Sequence, residues 1–248
     1  MDVSGILNNL NEAQRKAVTS ESPHLLVLAG AGSGKTRVIA HKVAWLVQAL
    51  NNSPHSLLTV TFTNKAANEM KGRIEFMLGQ EMSDFWCGTF HGISHRLLRR
   101  HWEEASLRRE FAILDSEDQY RVIKRVCKSL GVDEGKWPAR QIQWYINKEK
   151  DECRRSNQAE SGEDYFVEQM TKVYVEYEQL CERESLVDFG ELLLRSLILL
   201  SSNEPLLSHY QKRFKHILVD EFQDTNEVQY RLLSLLKGKD SSYTAVGD

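Results

Sequence analysis

Hydrophobic positions along this chain follow two different periods, and the change between them divides it. Short apolar runs with strand character occur at His24–Leu28, Leu57–Phe62, Asp84–Phe90 and His216–Val219, and Tyr243–Asp248 begins as another. Between these runs the spacing is helical. Val38, Ile39, Val43, Leu46 and Val47 predict a helix to about Leu50, broken by Asn51-Asn52-Ser53-Pro54, and Ala66, Met70, Ile74 and Leu78 predict a second over Lys65–Leu78. Asn11 reads as the N-cap of a short helix running to Val18, and Asn226–Leu236 as a further helix. Strand, loop and helix in this alternation predict an α/β fold with a parallel sheet that binds ligands at the carboxyl ends of its strands.

From His91 to Leu200 the alternation stops. Amphipathic helical patterns follow near 92–103, 116–131, 139–150, 163–183 and 189–201, with Ser116 and Gln119 spaced as a capping box and Gly131 placed as a C-cap. A helical insertion into the α/β domain is the expected arrangement.

The chemistry sits where two of the strands end. Ala29-Gly30-Ala31-Gly32-Ser33-Gly34-Lys35-Thr36 lies between an apolar strand and a helical run, matching a phosphate-binding loop in all but its leading position, which is Ala29 instead of Gly. Gly30, Gly32 and Gly34 are expected to supply positive φ angles and close backbone approach, so that successive N–H groups face an anion. The following helix turns its N-terminal N–H groups to the same anion. Lys35 then reaches the β- and γ-phosphates, and the Thr36 hydroxyl holds Mg²⁺. Far along the chain, Val219-Asp220-Glu221 ends an apolar strand in two acids. Asp220 is expected to hold Mg²⁺ directly or through water, and Glu221 to polarise the attacking water as general base. The amide of Gln14 could pair with the N6/N7 edge of adenine, although a solvated helical Gln is the plainer reading.

Composition changes this picture little. The 248 residues, 41% hydrophobic and 27% charged, can bury a substantial core, and a net charge of −3 gives no global field toward nucleic acid. Residues 91–150 nonetheless hold thirteen Lys/Arg against nine Asp/Glu, whereas 151–200 hold five against twelve. Arg96, Arg99, Arg100, Arg108 and Arg109 could face phosphates, or simply be solvated. Cys87, Cys127, Cys153 and Cys181 form no Cys-x-x-Cys pair, which argues against a zinc site or disulfide framework and for a reducing, cytoplasmic setting. His91 and His95 share a helical face, but Gly92 stands where a zinc-protease helix carries Glu, so no structural metal is expected. No run approaches 18 apolar residues, and no membrane contact is expected.

Taken in order, several short stretches resemble the motifs of superfamily 1A DNA helicases, the UvrD/Rep/PcrA group. They are Leu-Asn-x-x-Gln-Arg around Gln14, the phosphate loop at 29–36, Val-Thr-Phe-Thr-Asn-Lys-Ala-Ala at 60–67, Gly-Thr-Phe-His-Gly at 88–92, Leu-Val-Asp-Phe-x-Glu-Leu-Leu at 186–193 and Val-Asp-Glu-Phe-Gln-Asp at 219–224. The resemblance runs the length of the chain but covers only the N-terminal part of the family. It implies a RecA-like domain 1A at 1–89 and 215–248, incomplete at its C-terminal end, interrupted by an all-helical domain 1B at 90–214. Val246-Gly247-Asp248 resembles the opening of the family's next motif.

The same resemblance implies that Gln14 reads adenine, that Arg37 lies beside the nucleotide, and that Gln223 couples the site to DNA. It implies a single-strand track along Phe62, Thr63, Asn64, Thr89, Phe90 and His91, with Phe189 contributing an aromatic; stacking of this kind ignores sequence. The implied activity is ATP- and Mg²⁺-dependent 3′-to-5′ translocation and unwinding in DNA repair. Single-stranded and 3′-tailed duplex DNA, together with repair proteins, are the implied partners. Hydrolysis and unwinding are expected to need a second RecA-like domain. Two rivals stand beside this: a fragment that binds nucleotide or DNA without turnover, and another P-loop NTPase. A GTPase is disfavoured, because Asn64-Lys65-Ala66-Ala67 lacks the Asp that reads guanine.

Overall fold

The computed structural model describes residues 4–82, 84–159 and 165–248. The chain forms two compact units, the first comprising Met1–Ile93, Leu200–Thr225 and Leu233–Asp248 and the second Ser94–Leu199 and Asn226–Leu232.

In chain order the elements are α1 (Ser4–Leu7), α2 (Glu12–Thr19), β1 (His24–Leu28), α3 (Lys35–Gln48), β2 (Leu57–Thr61), α4 (Asn64–Leu78), β3 (Trp86–Thr89), α5 (Phe90–Arg100), β4 (Ala112–Leu114), α6 (Ser116–Ser129), α7 (Ala139–Asp151), α8 (Tyr165–Glu184), β5 (Leu186–Asp188), α9 (Phe189–Ser202), α10 (Glu204–Arg213), β6 (His216–Val219), α11 (Glu227–Leu236) and β7 (Ser242–Gly247).

The first unit is built on a five-stranded sheet in the order β1-β7-β6-β2-β3, parallel throughout. Chain order and sheet order differ, so that β1 and β2, consecutive in sequence, are separated by β7 and β6. Every strand therefore ends at the same edge of the sheet, which is where such folds place their ligands. β2 is buried at all five positions, as a strand covered on both faces must be. One face packs on α3 and α4 through Ile39, Val43, Met70, Ile74, Leu218 and Val246. On the other, Trp86 meets Tyr210 and Phe214 edge-on at ring distances of 5.7 and 5.3 Å. These aromatic contacts tie α10 to the sheet, whereas the bounds that the resemblance implies put 204–213 with the insertion. β1 lies at the sheet edge, with Leu26 and Leu28 exposed.

The second unit has its own core, in which Ile123, Val126, Ile142, Ile146, Val173, Tyr174 and Tyr177 bring α6, α7 and α8 together. It is not wholly helical, since β4 and β5 form a two-stranded parallel sheet. Strands of three residues are too short to leave a period in sequence.

Local chemistry corrects other expectations. The N-cap of α6 is Asp115, whose carboxylate accepts from the N–H groups of Glu117 and Asp118, not Ser116. Asn11 does cap α2, in a reciprocal capping box with Gln14. The third strand is shorter than Asp84–Phe90 because Phe90 already begins α5. The start of α8 at Tyr165 leaves 163–164 of the expected helix outside the described residues. Among the described residues no helix is long and apolar enough to cross a membrane.

Candidate nucleotide-binding site

β1 ends at Leu28, and the Ala29 N–H continues its ladder by donating to the Gly247 carbonyl at 3.0 Å. The chain then turns, with the Ser33 N–H on the Gly30 carbonyl at 3.2 Å, and enters α3 at Lys35. Gly32 and Gly34 have φ of 76° and 86°, where a side chain is strained. Gly30 does not share this conformation, and a Cβ there would meet nothing. The loop thus needs glycine at two of its three glycine positions. Gly34 is also crowded, because a Cβ would stand 3.0 Å from the Gln14 side-chain nitrogen.

Lys35 is buried, its ammonium paired with the carboxylate of Asp248 and lying 3.5 Å from that of Glu221. The bond to Asp248 raises its pKa, against the opposing effect of burial. Thr36 donates from its hydroxyl to Asp220 Oδ2 at 2.7 Å. Asp220 is buried, and burial pushes its carboxyl above the usual range while the Thr36 bond pulls it back. Glu221 adopts a left-handed backbone, φ 50°, turning the chain out of β6. Its carboxylate accepts from Gln223 Nε2 at 2.8 Å, and Gln223 Oε1 accepts from the Asp248 N–H at 3.2 Å.

These groups suit a magnesium–phosphate ligand. Backbone N–H groups at a helix N-terminus and a buried ammonium match phosphate oxygens, and a hydroxyl beside a carboxylate offers the oxygen donors of a hard cation. Among the described residues no group of three or more His, Cys, Asp or Glu could hold a metal. Mg²⁺ would accordingly rest on Thr36, Asp220, phosphate and water, the mixed shell it usually keeps.

Gln14 is placed against the loop rather than left solvated. Its amide nitrogen donates to the Ser33 carbonyl at 2.9 Å, and its oxygen accepts from the Asn11 N–H at 3.1 Å. Ala29, Ala31, Ser33 and Arg37 lie along the same turn and the first turn of α3, partly or fully exposed.

The remaining motif residues of this unit gather at the carboxyl ends of β2 and β3. Thr63 caps α4, its hydroxyl accepting from the Ala66 N–H at 3.1 Å, and Thr89 accepts from the Gly92 N–H at 3.1 Å in the first turn of α5. Asn64 is exposed. Phe90 differs from the track residue that the resemblance implies: it is buried, edge-on to the half-buried Phe62 at 5.4 Å. Its ring supports Phe62 rather than offering a face. Burial lowers the pKa of His91. Phe189, in the second unit, is exposed.

The arginine cluster is only partly available to an anion. Arg99 donates to the Arg109 and Phe111 carbonyls and to His95 Nε2, and its guanidinium lies 3.9 Å from the Phe111 ring centre. Arg108 donates to the Arg183 carbonyl.

Two participants were not among the expected site residues. Asp248 approaches Lys35 from 213 residues away, and Asn11 orients Gln14 in addition to capping its own helix. The opening of a motif at 246–248 pointed to the first only as a family element, and the capping box itself was the signal for the second.

The UvrD/REP helicase N-terminal domain family matches residues 10–248. DNA helicase II of Salmonella typhimurium is 51% identical over the whole chain, which spans 34% of that protein. DNA helicase II of Haemophilus influenzae is 48% identical over the whole chain and 35% of its own length, and the ATP-dependent DNA helicase PcrA of Staphylococcus epidermidis 38% identical over 99% of the chain and 34% of its own. The chain therefore spans about a third of the length of these relatives. With the family match covering nearly all of its residues, the chain belongs to the UvrD/REP helicase N-terminal family.

Proposed function

We propose that this chain is the N-terminal part of an ATP-dependent 3′-to-5′ DNA helicase of DNA repair, acting in the cytoplasm, and that it binds Mg·ATP and single-stranded DNA. The observation that carries the reading is the meeting of Lys35 and Thr36 with Asp220 and Glu221 at one end of the parallel sheet. In this reading the first unit is the RecA-like domain and the second the helical domain 1B.

Lys35 exchanges the carboxylate of Asp248 for the β- and γ-phosphates. Thr36 and Asp220 would hold Mg²⁺, which would supply neutralisation of the phosphate charge. Glu221, held by Gln223, accepts a proton from the attacking water. Gln223 also accepts from the backbone N–H of Asp248, so it joins the catalytic base to the end of β7 and in this reading passes on the state of the site. Gln14 and Arg37 border the nucleotide. Single-stranded DNA lies along Phe62, Thr63, Asn64, Thr89 and His91, where the N-termini of α4 and α5 supply N–H groups to backbone phosphates. Phe189 stacks on a base.

Isothermal titration with Mg·ATP tests the nucleotide half. Heat of binding in the parent and none in Lys35→Ala supports it; equal binding by the two places the nucleotide elsewhere.

A second reading is favoured by the single nucleotide-binding unit in these residues: they bind ligand but do not turn it over. In P-loop motors an arginine from a neighbouring domain stabilises the transition state by roughly 10³–10⁵ in rate. ATPase that stays near background in the 248-residue chain and returns on adding the family's C-terminal part in trans supports it.

A further inference from the structure

Asp188 ends β5 and begins α9 one residue before Phe189, and it is 2% exposed. Its Oδ2 accepts from Lys150 Nζ at 2.7 Å, Tyr177 Oη at 2.6 Å and Gln119 Nε2 at 3.3 Å, while Oδ1 accepts from the Glu191 N–H at 2.7 Å. One carboxylate thus joins α6, α7 and α8 to the first turn of α9. Glu191, also buried, accepts two bonds from Arg155 at 2.6 and 2.7 Å and one from Arg195 at 2.6 Å, with Lys150 3.3 Å away. Gly190 lies between them, and a Cβ on it would stand 3.2 Å from both Cβ and Cδ of Lys150. The lysine stem crosses this first turn because residue 190 has no side chain. Of the four residues 188–191, two are drawn inward by ions and one is absent as a side chain. Only Phe189 is left facing out, 46% exposed.

A buried ion cluster is a poor source of stability, since apolar residues of equal volume do as well or better, and its better-attested use is to specify one arrangement. Propensity does not require Lys150 at this place either, because a hydrophobic side chain would complete the same core. We propose that Lys150, Asp188, Glu191 and Arg155 form a clamp that fixes Phe189 for stacking on a single-strand base, with Lys150 and Gly190 as positioning residues. This rests on the single-strand reading of Phe189. Rigid presentation matters for such a contact, because a ring already held in one orientation loses less freedom on binding.

The test is a double-mutant cycle on the 248-residue chain, read by anisotropy of a labelled oligothymidylate and by the fluorescence of an internal 2-aminopurine. Phe189→Ala is expected to weaken binding roughly tenfold, within the usual worth of one stacked base. Lys150→Met and Gly190→Ala are each expected to weaken it severalfold and to reduce 2-aminopurine quenching. Neither should weaken binding further in the Phe189→Ala background, because an effect transmitted through the ring vanishes with the ring. Gly190→Ala keeps every charge and carries the test if Lys150→Met does not fold. Parent-like binding by Phe189→Ala would overturn the single-strand reading of Phe189 and the clamp with it. If Phe189→Ala weakens binding but Gly190→Ala does not, or if Gly190→Ala weakens it equally with and without the ring, the clamp alone falls.

Discussion

The Thr36 hydroxyl donates a 2.7 Å hydrogen bond to Asp220, joining the first turn of α3 to the end of β6 across 184 residues. Asp220 is 1% exposed, so this bond offsets part of the cost of burying its carboxylate. Thr36→Val keeps the shape and removes the donor. The variant should lose roughly 1–3 kcal/mol of stability if the carboxylate stays charged. The pKa of Asp220, already raised by burial, should rise further, because the Thr36 bond is the largest of the effects that lower it. Mg²⁺-dependent nucleotide affinity should fall by roughly tenfold or more. Thermal melting and calorimetry with and without Mg²⁺ check both parts, and an unchanged Mg²⁺ dependence would remove Thr36 from the cation site.

Glu221→Gln, in a chain extended to the length of the relatives, should bind Mg·ATP nearly as the parent does and hydrolyse it roughly 10²–10⁴-fold more slowly. The amide still accepts the Gln223 bond but no longer takes a proton. Steady-state ATPase with normal turnover would exclude Glu221 as the base.

The loop glycines should separate by backbone angle. Gly34→Ala forces a side chain into φ 86° and toward Gln14, costing roughly 1–2 kcal/mol from the left-handed backbone alone. Gly30→Ala has neither problem and should melt like the parent. Equal melting temperatures for the two variants would mean that the loop relaxes around them.

Acid should loosen the ion cluster of the second unit. Burial alone would raise the pKa of Glu191, but Lys150, Arg155 and Arg195 hold it well below the ordinary 4.5. A carboxylate depressed in the folded state contributes stability that is full above its unfolded pKa and is lost as pH falls through and below it. Melting temperature should therefore drop as pH falls below 4.5. Glu191→Gln, though less stable at neutral pH, should show a shallower acid dependence over the same interval. Parallel profiles for the two proteins would show that other groups set the acid limb.

The 248-residue chain by itself should bind Mg·ATP weakly, show little DNA-stimulated ATPase and separate no strands. Unwinding needs two domains that close and open around nucleotide so that the strand is gripped and released. Strand separation of a 3′-tailed duplex by the purified chain would overturn this.

The α/β class, the parallel sheet, the glycine-rich loop between β1 and α3 and the two acids after β6 were legible in the sequence, because each is local. A strand period, a glycine pattern opening a helix and an acidic pair ending an apolar run are written within a few residues. What only the tertiary structure decided depends on residues far apart in the chain. Sheet order set β1 at the edge and left Leu26 and Leu28 exposed, where an apolar run alone reads as interior. Packing buried Phe90 beneath Phe62, drew α10 onto Trp86, and set the Arg99 guanidinium on carbonyls and a ring. Asp188 and Glu191 look in sequence like ordinary charges near a helix start. Only the convergence of α6, α7 and α8 makes them the buried centre of an ion cluster, because burial is a property of the space around a residue and not of its neighbours in the chain.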